Sequence, residues 1–301
     1  GEAAALGAGA AEGVARVVRL RLVDGDPYAL ETSTLVAKRF PGLEGYDFGS
    51  RSLYDTLGRD YGIRLVRARE TVAPERFTFH SSRMRMTRVT ADELAAMDGE
   101  SDRCAVELSD ARVDVLGYAC LVAIMSMGPG YHRESQRRLH ARTVDNGGPA
   151  PVVTSAGALV DGLRVLGARR IVLIAPYMPE LTRTVVDYIE AEGVDVLDHR
   201  ALGVPGNLDV AALDPRGLIA HAAELDRPDA DAVVLSACVQ MPSLDVIDEV
   251  QQLLGKPVLS AAVATTHRML RALDLPAVAP LGGALLGGDH ALADPPAAVA
   301  R

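Results

Sequence analysis

From residue 76 onward, apolar runs of strand length alternate with segments whose apolar positions recur at helical spacing. Residues 76–80 (Arg-Phe-Thr-Phe-His) alternate with period two and predict a strand. Residues 90–109 predict a helix: Thr90 with Glu93 forms a capping box, and Leu94, Met97, Cys104 and Leu108 share a face. Residues 113–119 predict the next strand, followed by a Gly-Pro-Gly turn (128–130), a basic helix over 134–143, a short strand at 151–154 and a helix over 156–166 that stops at Gly167. The order then restarts, with strands at 170–175, 194–197, 232–237 and 257–260. Helices follow them at 179–192, at 214–225 (Asp214 as cap, Pro215 in the first turn), at 244–254 ending at Gly255, and at 263–273. Strands separated by helices of this length imply parallel sheets with helices on both faces, an α/β protein.

The pattern repeats internally. Val-Asp-Val-Leu-Gly-Tyr-Ala-Cys (113–120) matches Asp-Ala-Val-Val-Leu-Ser-Ala-Cys (231–238). Pro-Val-Val-Thr-Ser-Ala (151–156) matches Pro-Val-Leu-Ser-Ala-Ala (257–262), in the same order after each cysteine. Two matched strings in order predict two pseudo-symmetric, flavodoxin-like halves, 62–168 and 169–288, each with a parallel sheet of about four strands. Residues 289–301 are a tail. The symmetry is broken at the front. Residues 61–68 are a short, Arg-studded candidate for the first half's opening strand, and 14–23 is the one other strand candidate before it. Gly25-Asp-Pro, Pro41-Gly-Leu-Glu-Gly and Asp47-Phe-Gly-Ser look like loops, so 1–61 is an atypical extension without a legible fold.

Composition narrows the function classes. A formal charge of −9 over 301 residues argues against nucleic acid as the main partner, and no apolar stretch approaches the roughly 18 residues that span a bilayer. The Ala/Gly-rich start lacks the basic flank and apolar core of a signal peptide. Three cysteines suit a reducing cytoplasm, with free thiols. Cys104, on an apolar helix face, fits a buried packing role.

Cys120 and Cys238 carry the candidate chemistry. Each lies at the carboxyl end of a predicted strand, where α/β proteins place ligands, and the duplication puts one on each wall of a single cleft. Backbone N–H groups in the following turns can lower a thiol pKa, so one thiolate and one thiol can act as nucleophile or base and as proton donor. Neither has the Cys or His neighbours of a zinc site. Two core thiols made alike by duplication is the competing structural explanation.

The stretches RFTFHSSRMRM (76–86), GYACLVAIMSM (117–127), PVVTSAGAL (151–159), APY (175–177) and LSACVQMPSL (235–244) strongly resemble maleate cis–trans isomerases of the aspartate/glutamate racemase superfamily. The similar arylmalonate decarboxylases keep only the second cysteine. The resemblance implies that Cys120 adds to C2 of maleate, that Cys238 protonates C3, and that rotation and elimination then release fumarate. It implies that Tyr177 and Asn207 hold substrate carboxylate, with the backbone N–H groups of Leu121, Val122 and Val239 as further donors, and that no cofactor or metal takes part. A Tyr after Pro at a strand end is otherwise a packing residue, and an Asn after Gly a turn former. His80, His132 and His267 are expected to be structural. The expected partners are a small dicarboxylate substrate and further copies of the chain, as a dimer or tetramer.

One departure keeps alternatives open. The family's opening strand ends in a Pro-Ser-Ser-Asn loop whose asparagine binds carboxylate, and no such string occurs here. The family pattern resumes near Arg67. Racemisation of an amino acid or hydantoin by two opposed thiols, and a binding-only homologue, are the other readings.

Overall fold

The computed structural model describes residues 13–23, 26–48, 51, 53–62 and 77–287. The chain divides into two compact units, Gly1–Phe79 and His80–Arg301. In the first, strands β1 (Val14–Val23) and β2 (Asp26–Val36) pair antiparallel, with Val14 opposite Val36 and a register shift between Arg21 and Leu22. Two 3-10 turns, Ala37–Arg39 and Leu43–Gly45, lead to helix α1 (Leu53–Asp60). Phe40, Leu43, Leu53 and Leu57 form its small core, and Phe40 meets the Tyr61 ring edge-on with centroids 5.4 Å apart. Strand β1 matches the expected 14–23. The loop expected at Gly25-Asp-Pro instead enters a second strand, since Pro27 lies opposite Leu22 in the ladder. The candidate opening strand at 61–68 lies almost wholly outside the described residues.

Residues 77–79 at the end of the first unit and 80–86 at the start of the second form no ladder, so the strand expected at 76–80 is not present over its described part. Period-two alternation alone, without a partner to take its N–H and C=O groups, does not make a strand. The helix expected over 90–109 is two helices, α2 (Ala91–Gly99) and α3 (Ser101–Asp110). The Ser101 hydroxyl donates to the Asp98 carbonyl at 2.5 Å at the break. Thr90 caps α2 by accepting from the Glu93 N–H at 3.4 Å, whereas the Glu93 carboxylate turns to the N–H groups of Thr87 and Arg88.

Then follow β3 (Leu116–Tyr118), α4 (Leu121–Met125), α5 (Tyr131–Asp145), β4 (Val152–Thr154) and α6 (Ser155–Val165). The next elements are β5 (Arg170–Ala175), α7 (Pro179–Ala191), β6 (Asp195–Ala201), α8 (Asn207–Ala211) and α9 (Gly217–Leu225). The chain continues through β7 (Ala232–Ser236), α10 (Leu244–Leu254), β8 (Val258–Ser260), α11 (Ala261–Ala272) and α12 (Gly283–Leu286).

All pairings in this unit's two sheets are parallel. One sheet has the order β6-β5-β7-β8, and the other is β3-β4 alone. The equal four-stranded sheets expected from the repeat are therefore not found among the described residues. Strands β5 and β7 are covered on both faces, as their unbroken apolar sequences require. The repeat survives in its second motif. Thr154 caps α6 by accepting from the Gly157 N–H at 3.2 Å, and Ser260 caps α11 by accepting from the Val263 N–H at 3.2 Å. These two helices pack on each other, and α11 also covers β3 and β4. A Cβ at Gly162 of α6 would stand 3.3 Å from the Ala264 Cβ of α11. One at Gly117 of β3 would stand 3.0 Å from the Met269 sulfur, so the small residue in each case permits the close approach.

Candidate active site

Strand β3 ends at Tyr118, and two residues later Cys120 enters α4 as its N-cap with extended backbone. Strand β7 ends at Ser236, and the chain turns through Ala237 and Cys238 before α10 begins. The Ser155 hydroxyl donates to the Tyr118 carbonyl at 2.9 Å, and the Ser236 hydroxyl donates to the Cys238 carbonyl at 2.8 Å, each tying down the backbone that presents a thiol. The two cysteines line one cavity of about 340 Å³, counting its open mouth. Tyr177, just beyond β5, and Asn207, at the start of α8, line it as well, together with Leu121, Val122 and Val239. All seven residues singled out from the sequence are thus brought to one cavity.

Sequence reasoning missed Met86, Val89, Val210 and Gln240, which complete the lining with Ala119. Met86 ends the first stretch that carries the resemblance, and Gln240 lies inside the second-cysteine motif, but neither residue type announces chemistry. Asn207, taken as a turn former beside its functional reading, begins a helix. Its side-chain amide donates to the Met86 carbonyl at 3.4 Å, and the Gln240 amide donates to the Asn207 carbonyl at 2.6 Å.

Among the described residues, no Lys, Arg, His, Asp or Glu side chain lines the cavity. Its titratable groups are the two thiols and the Tyr177 phenol. Burial pushes the Cys120 thiol up to about 12, against the N–H groups of Ala123 and Val122, which favour the thiolate; the nearby Cys238 raises it further. Burial also raises Cys238, opposed by the Tyr177 hydroxyl and the N–H groups of Met241 and Gln240. Tyr177 is held well above its ordinary value by burial and by both thiols. At neutral pH the site is therefore a pair of neutral thiols among neutral donors.

The histidines stand apart. His132 is buried with its Nδ1 2.5 Å from the Tyr188 hydroxyl, and burial lowers its pKa, as it does for His267. None of the six described histidines lines the cavity. Cys104 is buried in α3. Among the described residues, no cluster of three or more His, Cys, Asp or Glu side chains is placed to hold a metal ion. Among them, too, no helix is long and apolar enough to cross a membrane.

Two parallel sheets in one unit, with a cysteine just past a strand's carboxyl end in each, define an α/β protein with a paired-thiol site. Residues 69–286 match the family model described as arylmalonate decarboxylase, and residues 1–84 match the UTRA domain. The stretch left without a fold by its sequence is thus similar to a different family from the rest. A maleate isomerase of Pseudomonas putida is 60 % identical over 226 residues, which span 75 % of this chain and 90 % of that one. A solved Pseudomonas putida maleate isomerase variant with maleate is 62 % identical, with a TM-score of 0.71 over 72 % of this chain and 87 % of the other. A cysteine-to-serine mutant of the Nocardia farcinica maleate cis–trans isomerase, with a covalently bound succinylcysteine intermediate, is 46 % identical. Its TM-score is 0.68 over 70 % of this chain and 86 % of that one. The chain belongs to the maleate isomerase family.

Proposed function

We propose that this chain isomerises maleate to fumarate through a covalent adduct on Cys120, with Cys238 as the proton donor. The observation that carries the reading is the placement of both thiols on one small cavity whose other polar groups are neutral donors. A dianionic substrate that gains charge at carbon during thiolate addition is best served by donors that add no competing acid.

The cycle begins with Cys120 as thiolate, its proton having left for solvent. The sulfur forms a bond to C2, and the π electrons move toward C3 and its carboxylate. Cys238 gives its proton to C3, leaving a succinyl group on Cys120 and a thiolate at Cys238. The former double bond is now single and rotates. Cys238 takes a proton back from C3, the C2–S bond breaks, and fumarate leaves with Cys120 again a thiolate. The N–H groups of Val122 and Ala123 face the Cys120 sulfur in its charged state. The Tyr177 hydroxyl, the Asn207 amide and the N–H groups of Leu121, Val122 and Val239 are the donors to substrate carboxylate in this reading.

Residues 62–168 and 169–288 are then the halves that each supply one thiol, in a protein of the reducing cytoplasm. Free thiols at all three cysteines accord with that compartment. A dimer or tetramer is the assembly expected, which sedimentation measures directly. The activity is tested by the fall in maleate ultraviolet absorbance with fumarate identified by NMR. Wild-type protein should turn over maleate, and Cys120→Ala and Cys238→Ala should not. Folded wild-type protein without turnover would overturn the reading.

A further inference from the structure

Residues 82–89 cross the cavity as a strap with almost no ladder of its own. Ser82, Met84 and Met86 are half-buried, whereas Ser81, Arg83 and Arg85 between them are exposed. The strap is tied at both ends. On one side the Ser82 hydroxyl donates to Glu107 at 2.6 Å, and the Arg103 guanidinium donates to the Arg83 carbonyl at 3.1 Å. On the other, Arg88 bridges Gly206, the Val89 N–H donates to the Pro205 carbonyl at 3.5 Å, and the Met86 carbonyl accepts from Asn207. Its tightest anchor lies between them. Glu93 Oε2 accepts from the N–H groups of Thr87 at 2.6 Å and Arg88 at 2.9 Å, and Oε1 accepts from the Thr87 hydroxyl at 3.1 Å. These hydrogen bonds hold the Glu93 carboxyl below its usual range. Bonds to an ionised acceptor are the stronger kind, and two successive N–H groups on one oxygen fix the local backbone direction. The residues flanking that clamp, Met86 and Val89, are the ones that line the cavity.

We propose that Met86 and Val89 set the size of the ligand admitted to the two thiols, and that Glu93 is the positioning residue that holds them over the cavity. The substrate selected is a cis-butenedioate with hydrogen at both double-bond carbons; a methyl group on C2 meets the strap. The choice of substrate rests on the function proposed above, whereas the size limit does not.

The test compares kcat/KM for maleate and methylmaleate in wild type, Met86→Ala, Val89→Ala and Glu93→Gln, with the volume-conserving Met86→Leu as control. A methyl-sized change in an apolar wall alters discrimination by about tenfold or more. The methylmaleate-to-maleate ratio should rise by about that factor in the two alanine variants and in Glu93→Gln, and stay near wild type in Met86→Leu. A purely structural loss lowers both rates together and leaves the ratio where it was. The second measurement needs no turnover: the rates at which N-methylmaleimide and N-phenylmaleimide label Cys120 and Cys238, mapped by peptide mass against free glutathione. Wild type should favour the smaller reagent, and Met86→Ala and Glu93→Gln should lose that preference. If wild type turns over neither diacid, the function proposed above fails, and the labelling preference alone decides the role of the strap. Identical ratios and identical labelling preference in all the proteins would overturn it.

Discussion

The Tyr177 hydroxyl donates to the Ala237 carbonyl at 3.1 Å, one residue before Cys238, and it faces the Cys238 sulfur as well. A single phenolic proton is thus offered to a backbone acceptor beside the proposed proton donor. The phenol itself is buried and held neutral. Tyr177→Phe removes this donor and leaves the Ala237 carbonyl without it. Stability should fall by about 1 kcal/mol, as for one ordinary buried hydrogen bond. Loss of a hydrogen bond to a charged group is worth about 1.5–3 kcal/mol, so kcat/KM for maleate should fall roughly tenfold to a hundredfold. Steady-state kinetics beside urea denaturation measure the two effects separately. An unchanged kcat/KM would remove Tyr177 from the site's working groups.

The thiols set the pH dependence. Burial raises both above the ordinary thiol value, Cys120 to about 12, so the thiolate fraction grows throughout the neutral range. The rate of carboxamidomethylation at Cys120 should therefore climb about tenfold per pH unit from 7 to 9 with no plateau. Stability follows with a definite sign. The unfolded chain loses these protons near pH 9 while the folded chain keeps them, so stability is retained below that pH and declines as pH rises toward about 12. Cys120→Ala should show a shallower alkaline loss of Tm than wild type. A labelling plateau below pH 8 would show that the Cys120 thiol is not raised.

Unequal roles for the thiols are separable by mass. If Cys120 is the nucleophile, Cys238→Ser incubated with maleate should carry one added maleic acid, and peptide mapping should find it on the fragment with Cys120. Cys120→Ser should carry none at Cys238. The reverse labelling would exchange the roles; both cysteines line the same cavity.

How far the sequence led depended on where each element's partners lie. Strand β5 and helix α10 stand where the pattern placed them. An all-apolar run bounded by Arg170 needs only burial, and Gly255 stops α10 with φ at 63°. Strand β3 is three residues where seven were expected, because its ladder extends only as far as β4 does, from Leu116 opposite Val152 to Tyr118 opposite Thr154. Helix α8 escaped notice since five residues carry no periodicity to detect. The thiols were legible through duplication, which marks strand ends without knowledge of their neighbours. Met86 and Val89 were not, because the Asn207 amide and the Gly206 bridge that tie the strap lie about 120 residues away, and the local Glu93 clamp reads in the sequence only as the partner of Thr90 in a capping box.

The strand end beneath Cys120 rests on a buried carboxylate, and this gives the sharpest stability prediction. Asp98 is 4 % exposed and accepts from three side chains. These are the Tyr131 hydroxyl at 2.6 Å, the Arg138 guanidinium at 2.9 Å and the Tyr118 hydroxyl at 3.2 Å. Arg138 is also paired with Asp102, which accepts from Arg142 at 2.9 Å. The cluster joins α2, β3 and α5, and burial beside Asp98 raises Tyr118 and pushes Tyr131 up to about 12, so both phenols stay donors. Asp98→Ala strands two phenols and part of a guanidinium, yet Arg138 keeps Asp102, which limits the cost below that of an uncompensated buried charge. The expected loss is about 2–3 kcal/mol by urea denaturation, and Tyr118→Phe, which removes one bond, should lose about 1 kcal/mol. A deficit below 1 kcal/mol at neutral pH would show that the cluster does not hold β3, whose place would then rest on its ladder to β4 and on the Ser155 contact.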